Sequence, residues 1–229
     1  MIDHAHDLGA VREATERLLD AVGKLDNASV AGASRLPGWS RGHVLAHLSR
    51  NADAIGNVLR GLPMYASSET RDADIAAGAP RPAAEQLADL RQTADGFLAA
   101  AAEPADWSRT VTLRNGVTDS AARVPFRRWV EVELHHVDLD VGYELEDLPA
   151  EFVEREIAFL AERFLGNQDV PATALTDLDG RTWSTGGGPP AALVTVQGPA
   201  VELLGWLCGR RDGSALTVAG GPLPALPPL

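Results

Sequence analysis

Residues 129–140 read WVEVELHHVDLD. Within them Glu131 and His135 stand four positions apart, which puts both side chains on one face of a helix, about one turn from each other. Pro125 suits the first turn of that helix, predicted to run to about Gly142. A second stretch, GHVLAHLSRNAD at residues 42–53, carries His47. A third ligand from this separate helix would complete a three-residue metal site. Three protein ligands leave one coordination position open, the arrangement of a catalytic rather than a structural metal. Metal sites built from inward-facing side chains of different helices are a property of helix bundles.

The surrounding sequence supplies the other helices of such a bundle. Residues 3–25 have an apolar stripe at Val11, Leu18, Leu19 and Val22. Ser40 is a plausible N-cap for a helix over 41–60, with Val44, Leu48, Ile55 and Leu59 as its apolar positions. A further helix is predicted from about Pro82 to Ala102. Between these two, GLPMYASSETRDADIAAGAPRP reads as a long connecting loop, and loops of that length tend to carry function. DWSRTVTLRNGVTDSAARV reads as irregular.

The pattern changes after Leu148-Pro149, and the domain boundary is expected there, giving domains 1–149 and 150–229. The second half reads as α+β. It has an amphipathic helix over 150–166, a hairpin signalled by Asp179-Gly180, a strand ALVTVQG, a helix opened by Pro199 and a last strand SALTVAG. Gly186-Gly187-Gly188 lacks the Lys-Ser/Thr of a phosphate loop and reads as a flexible turn. The tail GPLPALPPL is Pro-rich and expected to be irregular.

Composition narrows the function. The chain has 229 residues and a net charge of -12. That balance argues against nucleic-acid binding, which needs a basic footprint, and against an anionic membrane surface. No apolar run approaches the length of a membrane span. The N-terminal segment has no apolar core of a signal peptide. The single cysteine, Cys208, excludes an intrachain disulfide and fits a reducing cytoplasm. In VELLGWLCG it reads as a small buried hydrophobe.

Spacing alone does not choose the ligands. His43, His47, Glu131, Glu133, His135 and His136 are all candidates, and His43 and His47 are themselves i,i+4 neighbours. Such histidines also serve as buried hydrogen-bonding groups between helices. Trp39 and Trp129 read as core anchors. Arg127-Arg128 and Glu144, Glu146 and Asp147 read as solvated faces. Asp138 follows His135 by three positions and can accept a hydrogen bond from it.

Four segments occur in one order over nearly the whole chain: GWSRGHVLAHLSRNADA, PMYASSETRDADI, WVEVELHHVDLDVGY and VQGPAVELLGWLCGRRDG. Together they resemble the mycothiol-dependent maleylpyruvate isomerases, a branch of the DinB-like metalloenzyme superfamily. The resemblance implies an N-terminal DinB-like four-helix bundle and a smaller C-terminal α+β domain. It places the metal ligands on His47, Glu131 and His135 and a catalytic arginine on Arg210, with Arg211 a weaker substitute. His43 and His136 then hydrogen-bond around the site or between helices. Tyr65 and Arg71, in the long loop, are candidate substrate contacts.

The activity implied is cis–trans isomerisation of maleylpyruvate, an unsaturated keto-dicarboxylate, to fumarylpyruvate. The implied cofactors are a divalent metal, Zn²⁺ by ligand type, and mycothiol as a thiol cosubstrate. A mycothiol S-transferase on the same scaffold, a metal-dependent hydrolase with Glu133 as base, and a non-catalytic metal-binding bundle are the alternatives. Glu133 is badly placed for the hydrolase, because i and i+2 do not share a helix face.

Overall fold

The computed structural model describes residues 2–103, 106–188 and 193–228. The chain divides into two compact units, Met1–Tyr143 and Glu144–Leu229.

The first unit contains α1 (His4–Val22), the short α2 (Asn27–Ala31), α3 (Arg41–Leu59), α4 (Ser68–Gly78), α5 (Ala83–Ala102), the strands β1 (Thr110–Thr112) and β2 (Thr118–Ser120), and α6 (Val124–Asp138). Four long helices form a ring of neighbours: α1 packs on α6, α6 on α3, α3 on α5 and α5 on α1. The apolar stripes explain the ring. Val11, Ala14, Leu18 and Val22 are buried on α1, and Leu90, Ala94, Phe97 and Ala101 on α5. Fourteen of the nineteen residues of α3 are buried, so it runs through the middle of the unit and presents several faces to neighbours. Pro125 lies in the first turn of α6, as its fixed φ favours, and the helix ends at Asp138 rather than Gly142.

Two segments differ from the sequence reading. The long loop contains a helix, α4, capped by the Ser67 side chain, which accepts from the Thr70 N–H at 3.1 Å. Its apolar pattern is weak, since only Ile75 and Gly78 are buried along it. Glycines let it close on α3: a Cβ at Gly42 would lie 2.1 Å from the Ala79 carbonyl oxygen, and one at Gly78 would lie 2.8 Å from the Ala46 Cβ. The stretch read as irregular forms the antiparallel β1–β2 hairpin, with Thr110 opposite Ser120 and Thr112 opposite Thr118. Its turn runs through Asn115 (φ 59°) and Gly116 (φ 75°). Asn and Gly tolerate this left-handed conformation, and an Asn-Gly pair is a strong hairpin signal.

The second unit contains α7 (Ala150–Phe164), β3 (Thr173–Asp177), β4 (Thr182–Thr185), β5 (Val194–Gly198), α8 (Ala200–Leu207) and β6 (Thr217–Ala219). The sheet order is β4-β3-β5-β6. β3 and β5 are parallel, and the two outer pairings are antiparallel. Burial alternates along β3 and β5, as expected where one face meets helices. α7 contacts α8 and β4, while α8 also contacts β3 and β5. Asp179-Gly180 makes the expected turn, closed by the Asp177 carboxylate, which accepts from the Arg181 N–H at 2.8 Å.

The glycine run is a tight packing point rather than a flexible turn. Gly186 has φ 74°, and a Cβ there would fall 2.1 Å from the Pro171 carbonyl oxygen. Pro189 and Pro190, read as part of that turn, and Ala192, read as the start of a strand, lie outside the described residues. The tail has no regular structure from Gly221 to Pro228.

Candidate functional site

The site lies in the first unit, where α3 and α6 face each other. Ser40 starts α3 through a reciprocal cap. Its hydroxyl accepts from the His43 N–H, while His43 Nδ1 accepts from the Ser40 N–H at 3.2 Å. His43 is therefore held by its own helix end. His47 follows one turn later and is 6% exposed.

Glu131 and His135 project from α6 to meet it. His47 Nε2 lies 3.0 Å from Glu131 Oε2, and His135 Nε2 lies 3.3 Å from the same oxygen. The two imidazole rings stand edge to face with centroids 4.7 Å apart. One donor atom from each of the three residues falls within 4.8 Å of the other two. The Glu131 side chain keeps 31% exposure, so the cluster is open on one side. His135 Nδ1 is 2.8 Å from Asp138 Oδ2. With Nδ1–H donating to that buried carboxylate, Nε2 is the nitrogen turned to Glu131, where its proton can be exchanged for a metal. This is the usual way of fixing the tautomer of a ligating histidine.

The electrostatics follow from this packing. Burial pushes the His47 imidazole below its ordinary pKa. Burial also favours neutral Glu131, but the hydrogen bonds from His135 and His47 outweigh it and hold the carboxyl well below the usual range. Burial alone would lower His135, yet Asp138 and then Glu131 raise it. Two imidazoles converging with a carboxylate that stays ionised fit a divalent cation by ligand chemistry.

Neighbouring residues sort themselves around the triad. The Trp39 ring stands edge-on 5.7 Å from His47, so this half-buried side chain walls the site rather than anchoring the core. Arg71, on α4, places Nη2 3.3 Å from His47 Nδ1 and its guanidinium carbon 5.9 Å from the Tyr65 ring centroid. Burial raises the Tyr65 hydroxyl pKa, and the Glu131 charge adds to it.

Arg128, read as a solvated residue, is 1% exposed. Its Nη1 donates to the Leu48 carbonyl at 3.0 Å and to Asn51 Oδ1 at 2.7 Å, tying α6 to α3 beside His47. Burial lowers its pKa to about 10, against the raising effect of Glu131 and Tyr65. The sequence signal for this was available: Arg128 precedes Glu131 by three positions, and Asn51 follows His47 by four.

The other candidate ligands are placed elsewhere. Glu133 is fully buried and accepts from Arg17 at 2.6 Å, Trp129 Nε1 at 3.0 Å and the Tyr143 hydroxyl at 2.8 Å. The His136 ring stacks on Tyr143 with centroids 4.0 Å apart.

In the second unit, Cys208 is buried behind α8, its thiol 3.6 Å from the Gly205 carbonyl oxygen. Gly209 (φ 71°) ends that helix in a left-handed turn, and Arg210 Nη1 donates to the Cys208 carbonyl at 2.7 Å. Arg211 is clamped by the carboxylates of Glu202 and Glu146.

Comparison with known proteins gives a consistent picture. The chain matches the family model described as the mycothiol maleylpyruvate isomerase N-terminal domain over residues 11–140, and the MDMPI C-terminal domain over residues 147–228. A crystal structure of a mycothiol-dependent maleylpyruvate isomerase is similar in fold, with a TM-score of 0.87 at 24% identity. The likeness covers 99% of this chain and 97% of that one. A structure of a histidine-to-alanine mutant of a mycothiol-dependent maleylpyruvate isomerase gives a TM-score of 0.85 at the same identity and coverage. No curated protein matches significantly. Matched over more than half its length by the first of these family models, the chain belongs to the mycothiol maleylpyruvate isomerase family.

Proposed function

We propose that this protein is a thiol-dependent cis–trans isomerase that converts maleylpyruvate to fumarylpyruvate, with mycothiol as cosubstrate, in the cytoplasm. The observation that carries the reading is the convergence of His47, Glu131 and His135, each with one ligand atom within 4.8 Å of the others, in a member of that family. These three residues would hold a divalent ion, which we infer to be Zn²⁺ from the His₂Glu donor set. When bound, such an ion supplies positive charge that keeps a thiol deprotonated at neutral pH.

The reaction asks the chain to manage charge and orientation. Thiolate addition turns the carbon–carbon double bond into a single bond and moves the electron pair into the conjugated ketone as an enolate. Rotation and elimination then restore the thiolate and leave the trans alkene. Asp138 fixes the His135 tautomer by accepting from Nδ1. His47 behaves differently. With its Nε2 lone pair engaged, its Nδ1 carries the ring proton and no longer accepts from Arg71, a group that can only donate. Arg71 Nη2 is then available to a substrate carboxylate, with Tyr65 beside it, while Nη1 stays on Asp72 at 2.7 Å.

Arg210 is the residue we assign to a substrate carboxylate or to the developing enolate. A guanidinium keeps its charge at any working pH and binds carboxylates bidentately. Its neighbour Arg211 already has two carboxylate partners, which counts against Arg211 for the task. Glu133 does not support a hydrolase, because three donors already occupy its carboxylate.

The test is to incubate metal-loaded protein with maleylpyruvate, with and without mycothiol, and follow product and free thiol together. Thiol-dependent conversion without thiol loss is expected. Stoichiometric thiol consumption would instead identify an S-transferase, and absence of any conversion would overturn the proposal. Arg210→Ala should keep its metal and lose turnover; unchanged rates would remove Arg210 from the mechanism.

A further inference from the structure

A groove of about 590 Å³ lies beside the β1–β2 hairpin in the first unit. Small-molecule sites commonly occupy about 300–1,000 Å³. The groove is linked to the candidate metal centre through two side chains. Tyr65 lines it, and Arg71 links that ring to His47, 5.9 Å on one side and 3.3 Å on the other. The Tyr65 and Arg71 side chains therefore lead from the groove to His47 of the triad.

The chemistry of the lining selects a class of ligand. Ser68, Thr110 and Thr112 offer hydroxyls, Asn115 an amide and Arg114 a guanidinium. Val58 and Val111 give an apolar floor. Among the described residues, no acidic side chain lines the groove. Its second arginine, Arg109, is engaged by the carbonyls of Val58 and Leu59 at 3.0 and 2.6 Å. Arg114 is exposed, and its guanidinium has no hydrogen-bond partner among the described residues. A dicarboxylate would call for several converging cations. Scattered neutral donors and acceptors over an apolar floor suit a hydroxyl-rich ring, whose C–H faces are apolar and whose rim is polar.

We propose that this groove seats the sugar-alcohol body of the thiol cosubstrate, with the Asn115–Gly116 hairpin as its outer wall and the thiol directed past Tyr65 to the triad. The proposal rests on the thiol-dependent reading above and names the part of the cosubstrate that the triad does not hold. Mycothiol carries its thiol on such a body; N-acetylcysteine has the thiol without it.

Calorimetric titration of metal-loaded wild type, Arg114→Ala and Thr112→Val with each thiol and with maleylpyruvate tests the idea. Both positions are exposed, so the fold should survive. Arg114→Ala should weaken mycothiol binding about tenfold and Thr112→Val about threefold, the ordinary range for losing charged and neutral hydrogen bonds. Binding of N-acetylcysteine should change by less than about twofold, because it lacks the contacted groups. Equal losses for both thiols, unchanged mycothiol binding, or a loss confined to maleylpyruvate would each overturn the groove assignment. Mycothiol binding that depends on Arg114 without any isomerisation would overturn the reaction and leave the groove standing.

Discussion

Glu131 and Glu133 sit two residues apart on α6 and meet opposite fates. Glu133 faces α1 and Tyr143, is fully buried, and accepts from three donors. Glu131 faces α3, keeps 31% of its side chain exposed, and has two imidazoles for company. The histidines beside them divide in the same way: His136 stacks on Tyr143, whereas His135 turns Nε2 toward Glu131. A carboxylate with its lone pairs filled by N–H and O–H groups is a structural tie. One left with imidazole nitrogens, which can exchange a proton for a metal, is a ligand in waiting.

The largest expected effect breaks the ligand side. Glu131→Ala should weaken metal binding by well over about 100-fold, since even groups that only support a ligand are worth about 10–100-fold. Isomerisation should vanish with the metal, while the circular dichroism of the helices stays. Metal analysis after gel filtration reads the result, and a variant that retains stoichiometric metal would remove Glu131 from the ligand set.

Glu133→Ala should do the reverse. Removing one member of a buried ion pair commonly costs 3–5 kcal/mol. Arg17 keeps 38% side-chain exposure and can turn to water, so a loss of about 3 kcal/mol is expected, at the low end of that range. Denaturant unfolding measures it, and metal content per folded molecule should be unchanged. If Glu133→Ala lost metal while keeping its stability, the division of α6 into two working faces would be wrong.

Much of this division was hidden in the sequence for a definite reason. Helical periodicity gave the four bundle helices, Asp179-Gly180 gave the hairpin of the second unit, and i,i+4 spacing joined Glu131 to His135. None of these signals says which partners arrive from elsewhere in the chain. Glu133 is filled by Arg17, more than a hundred residues away, and no local pattern announces that. Arg128 looked solvated because arginine usually is, but Asn51 and the Leu48 carbonyl bury it. Helix α4 was missed because only Ile75 and Gly78 are buried along it, which leaves little periodicity to read. The β1–β2 hairpin was different, since Asn115-Gly116 stated it openly and the flanking strands are simply short.

A smaller effect sharpens the contrast within the ligand face. Asp138→Asn should weaken metal binding about 10–100-fold by unsettling the His135 tautomer. The metal-free protein adds a pH signature. Burial by itself lowers the His135 pKa, but Asp138 foremost and Glu131 after it raise it above 6.5 in the folded state. A raised imidazole contributes stability that is fully present below the unfolded value and is lost as pH rises through the folded one. The stability gap between wild type and Asp138→Asn should therefore be widest below pH 6.5 and narrow as the solution becomes alkaline. A gap that widened with pH would mean that Asp138 acts on some group other than His135.

The smallest effect belongs to His136, which separates a stacking role from a ligand role. Its ring lies nearly parallel to that of Tyr143, at an interplanar angle of 10°. Phenylalanine keeps a flat ring of similar shape in that place, so His136→Phe should change stability by less than about 1.5 kcal/mol, as volume-conserving swaps do. Metal content and its pH dependence should match wild type. His135→Phe offers the same change of side chain one position earlier and should empty the site. Chelator titration of the two variants side by side reads the difference directly. Equal metal loss in both would mean that the stack on Tyr143 helps to hold α6 in register for its ligand face, and the two faces would then be mechanically coupled rather than independent.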